Sequence, residues 1–243
     1  MDGKLVDIGF AVPNARRPGY WFDIILGRLV PALVFSIFLV DKFLLLKAAA
    51  TAFQEVGGRL GSVQLLAVVT QLLGMSYFTL LVVLYVVRLP KRAGDARPWV
   101  ILVSFFGSFS IILVTFLPGV TPRLGLVLAA DLLVLVGLVY TVWSLAYLRR
   151  SFSILPEARR LVTGGPYGLS RHPLYLGEGV AAIGLTLPTI GWLGAIVVAA
   201  FLIAQYIRIL SEERVLGRTF PEDYARYKLR VPRYLPQPWR SRS

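Results

Sequence analysis

The chain has 243 residues, with 26 Lys and Arg against 13 Asp and Glu, for a formal charge of +13. Hydrophobic residues make up 56% and charged residues 16%, against roughly 25% charged in an ordinary soluble domain. A water-soluble enzyme of this size could not bury so much apolar surface, and a disordered chain is excluded because disorder requires low hydrophobicity. The absence of cysteine rules out disulfides, thiolate metal sites and cysteine nucleophiles. A single histidine, His172, rules out a multi-histidine centre, so no metal site is expected.

The first 22 residues contain Pro13, Pro18 and Gly19 and lack the short apolar core and cleavage site of a signal peptide. They are expected to stay on the chain, with Tyr20, Trp21 and Phe22 anchoring the first helix at the membrane interface. Crossing the hydrocarbon core takes about 20 apolar residues in a helix. Runs at 24–46, 63–87, 99–117, 124–148 and 190–210 approach or exceed that length. A sixth run, 174–187, extends only about 21 Å at the helical rise, short of a core about 30 Å thick. Pro188 separates it from the last run, so 174–210 reads as a helical hairpin with a short first arm.

The expected fold is all-α: a polytopic membrane bundle of about six spans that includes this C-terminal hairpin, with a pocket at the cytoplasmic end. Orientation follows from the cations. Lys4, Arg16 and Arg17, the 88–97 loop, the 149–171 segment and the tail from Arg208 hold most of them. The opposite face keeps Lys42, Lys47, Arg59 and Arg123. This asymmetry places both termini in the cytoplasm of a multi-pass protein, expected in a bacterial inner membrane. The cations face anionic headgroups, and no nucleic-acid partner is expected. Arg28, Asp41, Gln71, Asp131 and Glu178 interrupt the apolar runs. Such groups are costly in lipid and face the bundle interior. Asp131, the deepest acid, reads either as a substrate or proton site or as half of a structural pair with Arg28.

Two polar stretches flank the hairpin. The first, 149–172, reads RRSFSILPEARRLVTGGPYGLSRH. Gly164-Gly165-Pro166 dictates a turn, and Pro173 suits the first position of the short helix. The amino end of that helix carries partial positive charge. Beside Arg171 and His172 it makes an anion-friendly pocket at the membrane surface. The second stretch follows the last span. Arg208 and Glu212 are four residues apart and share a helical face, as do Tyr224 and Tyr227 at three.

LVTGGPYGLSRHPLYLGE (161–178), a hydrophobic hairpin and then EERVLGRTFPEDYARYKLRVPRYLP (212–236) together resemble the isoprenylcysteine carboxyl methyltransferases, and more broadly the integral-membrane methyltransferases that include the phospholipid methyltransferases. The resemblance covers residues 152–236. It implies S-adenosylmethionine as cofactor, without a Rossmann domain, in agreement with the lack of a GxGxxG fingerprint. It also implies residue roles. Arg159, Arg160, Leu161 and Val162, then Tyr167, His172, Pro173, Leu174 and Tyr175, would contact the cofactor. Glu212 would hold its amine or ribose, and Arg208 would orient the acceptor as the catalytic residue. Tyr224, Tyr227 and Arg230 would brace a C-terminal lid. Residues 1–148 would then be a substrate-side scaffold and 149–243 the catalytic region. Two departures stand out: Phe220-Pro221 where Phe-Gly is common, and Phe152-Ser153 near the place of a cofactor-binding glutamine.

The expected reaction is methyl transfer to a lipophilic or prenylated acceptor, on a carboxylate or an amine. An amine must first lose a proton, with Glu213 or Asp131 as candidate acceptors. Two other readings stay open: an NADPH-dependent membrane reductase of the sterol reductase type, and a non-catalytic transporter or scaffold. The oligomeric state is not legible.

Overall fold

The computed structural model describes residues 24–55, 61–95, 97–117, 123–189 and 191–234. The expected Tyr20, Trp21 and Phe22 anchor lies outside them. A π-helical turn, Ile25–Leu29, runs into α1 (Val30–Glu55), and α2 follows (Ser62–Val87). α2 stops where Arg88 turns extended, one residue ahead of Leu89-Pro90, since the position before proline disfavours helix. α3 (Pro98–Phe109) starts with proline in its first turn and continues as a 3-10 helix, Ser110–Phe116. α4 is Leu124–Leu148, α5 is Pro173–Thr186, α6 is Gly191–Thr219 and α7 is Pro221–Arg230.

Among the described residues, four helices are long and apolar enough to cross a membrane, matching the first, second, fourth and last of the expected runs. The chain is an integral membrane protein of polytopic helical architecture. The third expected run, 99–117, is helical in two parts: 12 residues of α-helix to Phe109, about 18 Å, and then 7 residues of 3-10 helix to Phe116, about 14 Å. The cause is local. Ser108 bonds back to the Ser104 carbonyl at 2.9 Å, a bond that bends helices, and Gly107 beside it weakens them. At the other extreme, α6 has 29 residues, about 44 Å at the helical rise. That exceeds the hydrocarbon thickness, so its last turns, bearing Glu212 and Glu213, stand clear of it.

Small residues set the closest packing. α4 buries Ala130, Val134, Gly137, Thr141 and Ser144 against Gly177, Ala181 and Gly184 of α5. A Cβ on Gly137 would meet the Ala181 nitrogen at 2.5 Å and the Gly177 oxygen at 2.6 Å. The backbones approach as small-residue membrane interfaces allow. The expected hairpin of 174–210 is present as α5 and α6, yet each arm packs more extensively on another helix, α5 on α4 and α6 on α3.

The polar segments fold back on this bundle. Ala93–Gly94 (β1) and Glu157–Ala158 (β2) form an antiparallel ladder, Ala93 opposite Ala158 and Gly94 opposite Glu157. Leu89 N–H donates to the Arg150 carbonyl at 2.9 Å, and Arg92 N–H to Ala158 at 2.8 Å. The loop from α2 to α3 thereby clamps the stretch after α4. Phe152 and Ile154 of that stretch enter a core with Phe35, Leu81, Tyr85, Leu145 and Leu174.

Candidate functional site

Each polar segment is shaped by its own sequence before the two meet. Gly165 adopts φ +59, the left-handed region that favours glycine, and turns the chain into a short 3-10 helix, Gly165–Gly168. This seats Tyr167 in the interior. α5 begins at Pro173, with His172 as its cap residue. α7 begins at Pro221, carries Glu222 and Asp223 in its first turn and Lys228 and Arg230 in its last, and so complements the helix dipole. Its buried face, Tyr224 and Tyr227, packs on Leu161, Leu216 and Phe220.

Hydrogen bonds hold the segments together. The Tyr227 hydroxyl donates to the Tyr167 carbonyl at 2.6 Å. Ser170 Oγ donates to the Arg233 carbonyl at 3.0 Å, and Arg171 N–H to Pro232 at 2.9 Å. Glu213 gathers the cations. Its Oε1 lies 3.1 Å from His172 Nε2 and 3.0 Å from Arg171 Nη1, and its Oε2 accepts from Arg233 Nη2 at 2.6 Å. Glu212, one residue earlier, points elsewhere: the Tyr175 hydroxyl donates to its Oε2 at 2.9 Å. The paired acids of the motif therefore divide their work. Glu213 latches the C-terminal strap, and Glu212 faces the space that the strap covers.

That space is a cleft with two adjoining lobes. Phe152, Ser153, Leu155, Leu174 and Tyr175 line one lobe. Arg160, Leu161, Val162, Leu216, Tyr224 and Tyr227 line the other. Glu157, Tyr167, Arg171, His172 and Glu212 border both. Burial, and next the charge of Glu212, hold the Tyr167 hydroxyl well above its usual pKa, so it stays a neutral phenol. Burial alone would raise Glu157, but Arg159, Ser153 and Arg88 outweigh it and keep its carboxyl below the ordinary range. Arg171 Nε and the Tyr224 hydroxyl are buried without a well-aligned hydrogen bond among the described residues. The lining thus combines the cationic Arg160 and Arg171, the Glu212 carboxylate and apolar walls at Leu161, Val162 and Leu216. A zwitterionic ligand with a flat or apolar body suits that arrangement.

Of the residues expected from sequence, Arg160, Leu161, Val162, Tyr167, His172, Leu174, Tyr175 and Glu212 border the cavity. Three do not. Arg159 is 3% exposed and spends its guanidinium on Glu157 Oε2 and the Leu89 carbonyl, both at 2.7 Å. Pro173 is buried as the first residue of α5. Arg208 also lies outside the lining, 3% exposed. It makes no ion pair with Glu212 despite the shared face. Its Nη1 donates to Gln205 Oε1 at 2.5 Å and its Nη2 to the Ile154 carbonyl at 3.0 Å. Its guanidinium stacks 5.0 Å from the Tyr175 ring centroid, so Tyr175 stands between Arg208 and Glu212. Neither candidate proton acceptor is well placed: Glu213 is engaged by His172 and two arginines, and Asp131 borders neither lobe. No ion pair joins Asp131 to Arg28 among the described residues. Sequence reasoning passed over Leu148, Ser151, Leu155, Glu157 and Leu216 as lining residues. Most sit in the stretch already marked by its polarity, but nothing local shows which of its side chains turn inward.

Residues 126–223 match the family described as phospholipid methyltransferase, which supports the resemblance read from the RHP and EER stretches. Among curated proteins, the chain is 42% identical over 84 residues to the nickel-cobalt-cadmium resistance protein NccN of Alcaligenes xylosoxydans xylosoxydans, covering 33% of this chain and 38% of that protein. It is 38% identical over 78 residues to the cobalt-zinc-cadmium resistance protein CzcN of Cupriavidus metallidurans, covering 32% and 36%. The matches thus span little over a third of each relative. Among solved structures, the eukaryotic intramembrane Ras methyltransferase ICMT (isoprenylcysteine carboxyl methyltransferase) aligns over 89% of this chain and 90% of its own at TM-score 0.45 and 18% identity, a likeness too distant to carry a functional argument.

Proposed function

We propose that the protein is an integral-membrane, S-adenosylmethionine-dependent methyltransferase acting on a lipid-like or prenylated acceptor, by carboxyl O-methylation or amine N-methylation. The observation that carries this reading is the convergence of 149–172 with the end of α6 and α7 on one cavity, where Arg171, His172 and Glu212 all border the same space. The family match over 126–223 supports it.

The residues fit the cofactor. Arg171, with its unpartnered Nε, and the positive amino end of α5 suit the methionine carboxylate. Glu212 has one oxygen left for an ammonium or ribose hydroxyls, and Leu161, Val162 and Leu216 suit the adenine. When bound, S-adenosylmethionine supplies an activated methyl: a bond from the acceptor oxygen or nitrogen to that carbon forms as the carbon–sulfur bond breaks, and the electron pair leaves on sulfur. The protein's part is placement and exclusion of water. Tyr175, held by Glu212 and stacked on Arg208, sets the boundary between cofactor and acceptor, and α7 seals the cavity. A carboxylate acceptor is ionised at neutral pH and needs no general base. An amine needs one, and Glu213 is already committed to the strap. The acceptor's apolar tail would lie between helices, in lipid. The cavity would face the cytoplasm of a bacterial cell.

Titration calorimetry in detergent tests the reading. S-adenosylhomocysteine should bind and NADPH should not; the reverse would make the protein a reductase. Glu212→Ala should abolish binding of S-adenosylhomocysteine, and near wild-type affinity would remove Glu212 from the site. Membranes supplied with radiolabelled methyl donor should then label a lipid, whose identity names the acceptor; no label in any lipid extract would favour a scaffold or transporter.

A further inference from the structure

Arg208 is a permanently charged group in the interior, yet no carboxylate touches it among the described residues. A buried, uncompensated charge costs several kcal/mol. Its compensation arrives through an intermediary. Gln205, one turn earlier on α6, accepts from Arg208 Nη1 at its Oε1 (2.5 Å) and donates from its Nε2 to Glu178 Oε2 on α5 (2.5 Å). The direction of this relay is dictated by chemistry. A guanidinium can only donate, so Gln205 must turn its oxygen to Arg208, which leaves its N–H group for Glu178. Tyr77 of α2 lies within hydrogen-bonding reach of Glu178. The other contacts of Arg208 complete a socket. Nη2 is taken by the Ile154 carbonyl, and the Tyr175 ring lies against the guanidinium. Gly107 of α3 leaves the room: a Cβ there would sit 3.1 Å from Arg208 Cδ. Nε is buried and makes no hydrogen bond among the described residues.

We infer that Glu178 is a positioning residue: through Gln205 it fixes the Arg208 guanidinium against the Ile154 carbonyl and the Tyr175 ring, the orientation in which Arg208 would orient the acceptor. The inference rests on the methyltransferase reading and extends it to two residues that neither touch the cofactor nor border the cavity. Glu178 acts on Arg208 without touching it, so the guanidinium keeps N–H donors that a bidentate ion pair would take. The same socket steadies the cavity, because Ile154 is gripped at both ends, its carbonyl by Arg208 and its N–H by the Tyr85 hydroxyl at 2.8 Å.

Two readouts on the full-length protein in detergent test this. The first is chemical. Phenylglyoxal modification followed by mass spectrometry should find Arg208 protected in the wild type and several-fold more reactive in Glu178→Gln and in Gln205→Met, which breaks the bridge without removing a charge. The second is kinetic, with radiolabelled methyl donor and the extracted lipid acceptor. Glu178→Gln should lower kcat about tenfold while leaving the KM for S-adenosylmethionine within about twofold. In an Arg208→Lys background the same change should have almost no further effect, because residues that act as a unit are non-additive. Equal protection of Arg208 in wild type and folded variants overturns the inference. So does an unchanged kcat, or a loss that is as large with Arg208→Lys as without it. Loss of S-adenosylhomocysteine affinity in parallel with kcat would also overturn it, by making Glu178 a support of the cofactor cavity. If the wild-type protein binds no S-adenosylhomocysteine and transfers no methyl, the functional reading fails, and the modification experiment alone then decides whether Glu178 positions Arg208.

Discussion

Glu212 and Glu213 are neighbours in sequence and differ in nearly everything the fold gives them. Glu213 receives His172, Arg171 and Arg233, so it joins α6, the loop before α5 and the strap after α7. Its side chain is only 12% exposed. Removing one member of such a cluster leaves buried donors unsatisfied, at a cost of roughly 1–3 kcal/mol. Glu213→Ala should lower the melting temperature and speed tryptic cleavage at Arg226 and Arg230. If cleavage stays as slow as in the wild type, the strap is held by Tyr224 and Tyr227 instead. The adjacency of the two acids was plain in the sequence. Their division of labour was not, because consecutive helical residues point about 100° apart and only the partners decide what each one finds.

Among the elements, the α4–α5 contact governs where the cavity sits. α4 and the 3-10 turn after it deliver Leu148 and Ser151 to its rim, and α5 delivers Leu174 and Tyr175. A slip between the two helices would shift both pairs relative to Glu212. Gly137 and Gly177 set that register by backbone approach. Gly177→Val places a branched side chain against α4 backbone, and overpacking of this kind costs at least 1–3 kcal/mol. The variant should melt earlier and bind S-adenosylhomocysteine more weakly; a stable variant with normal affinity would show that the register is set elsewhere. The sequence showed a short apolar arm rich in small residues. It did not show that α4, rather than the other arm of the hairpin, is the main partner, because a small-residue face fits any helix with a complementary one.

For the whole molecule, the polar stretches lie at one end of the bundle and Arg123 at the other, separated by the 25 residues of α4, about 37 Å of helix. The chain has no cysteine, so single cysteines report sidedness against a clean background. In sealed inside-out vesicles, a membrane-impermeant maleimide should label Leu229→Cys, on the 77% exposed Leu229, and leave Arg123→Cys unlabelled. Labelling of both, or of Arg123→Cys alone, would overturn the proposed orientation.

What the sequence determined by itself was the medium and the material of the site. Hydropathy demanded helices in lipid, since backbone groups there must satisfy one another, and the polar stretches around the RHP and EER residues could not be spans. Local rules also placed Gly165 in its turn and Pro173 at a helix start. Only the tertiary structure decided which side chains meet. It sent Arg208 to Gln205 and Ile154 rather than to Glu212 four residues away, turned the third apolar run from α-helix to 3-10 helix after Phe109, and joined residues 93–94 to 157–158. Those outcomes turn on distances between segments far apart in the chain, and spacing along a helix reports only which residues share a face, not what stands opposite it.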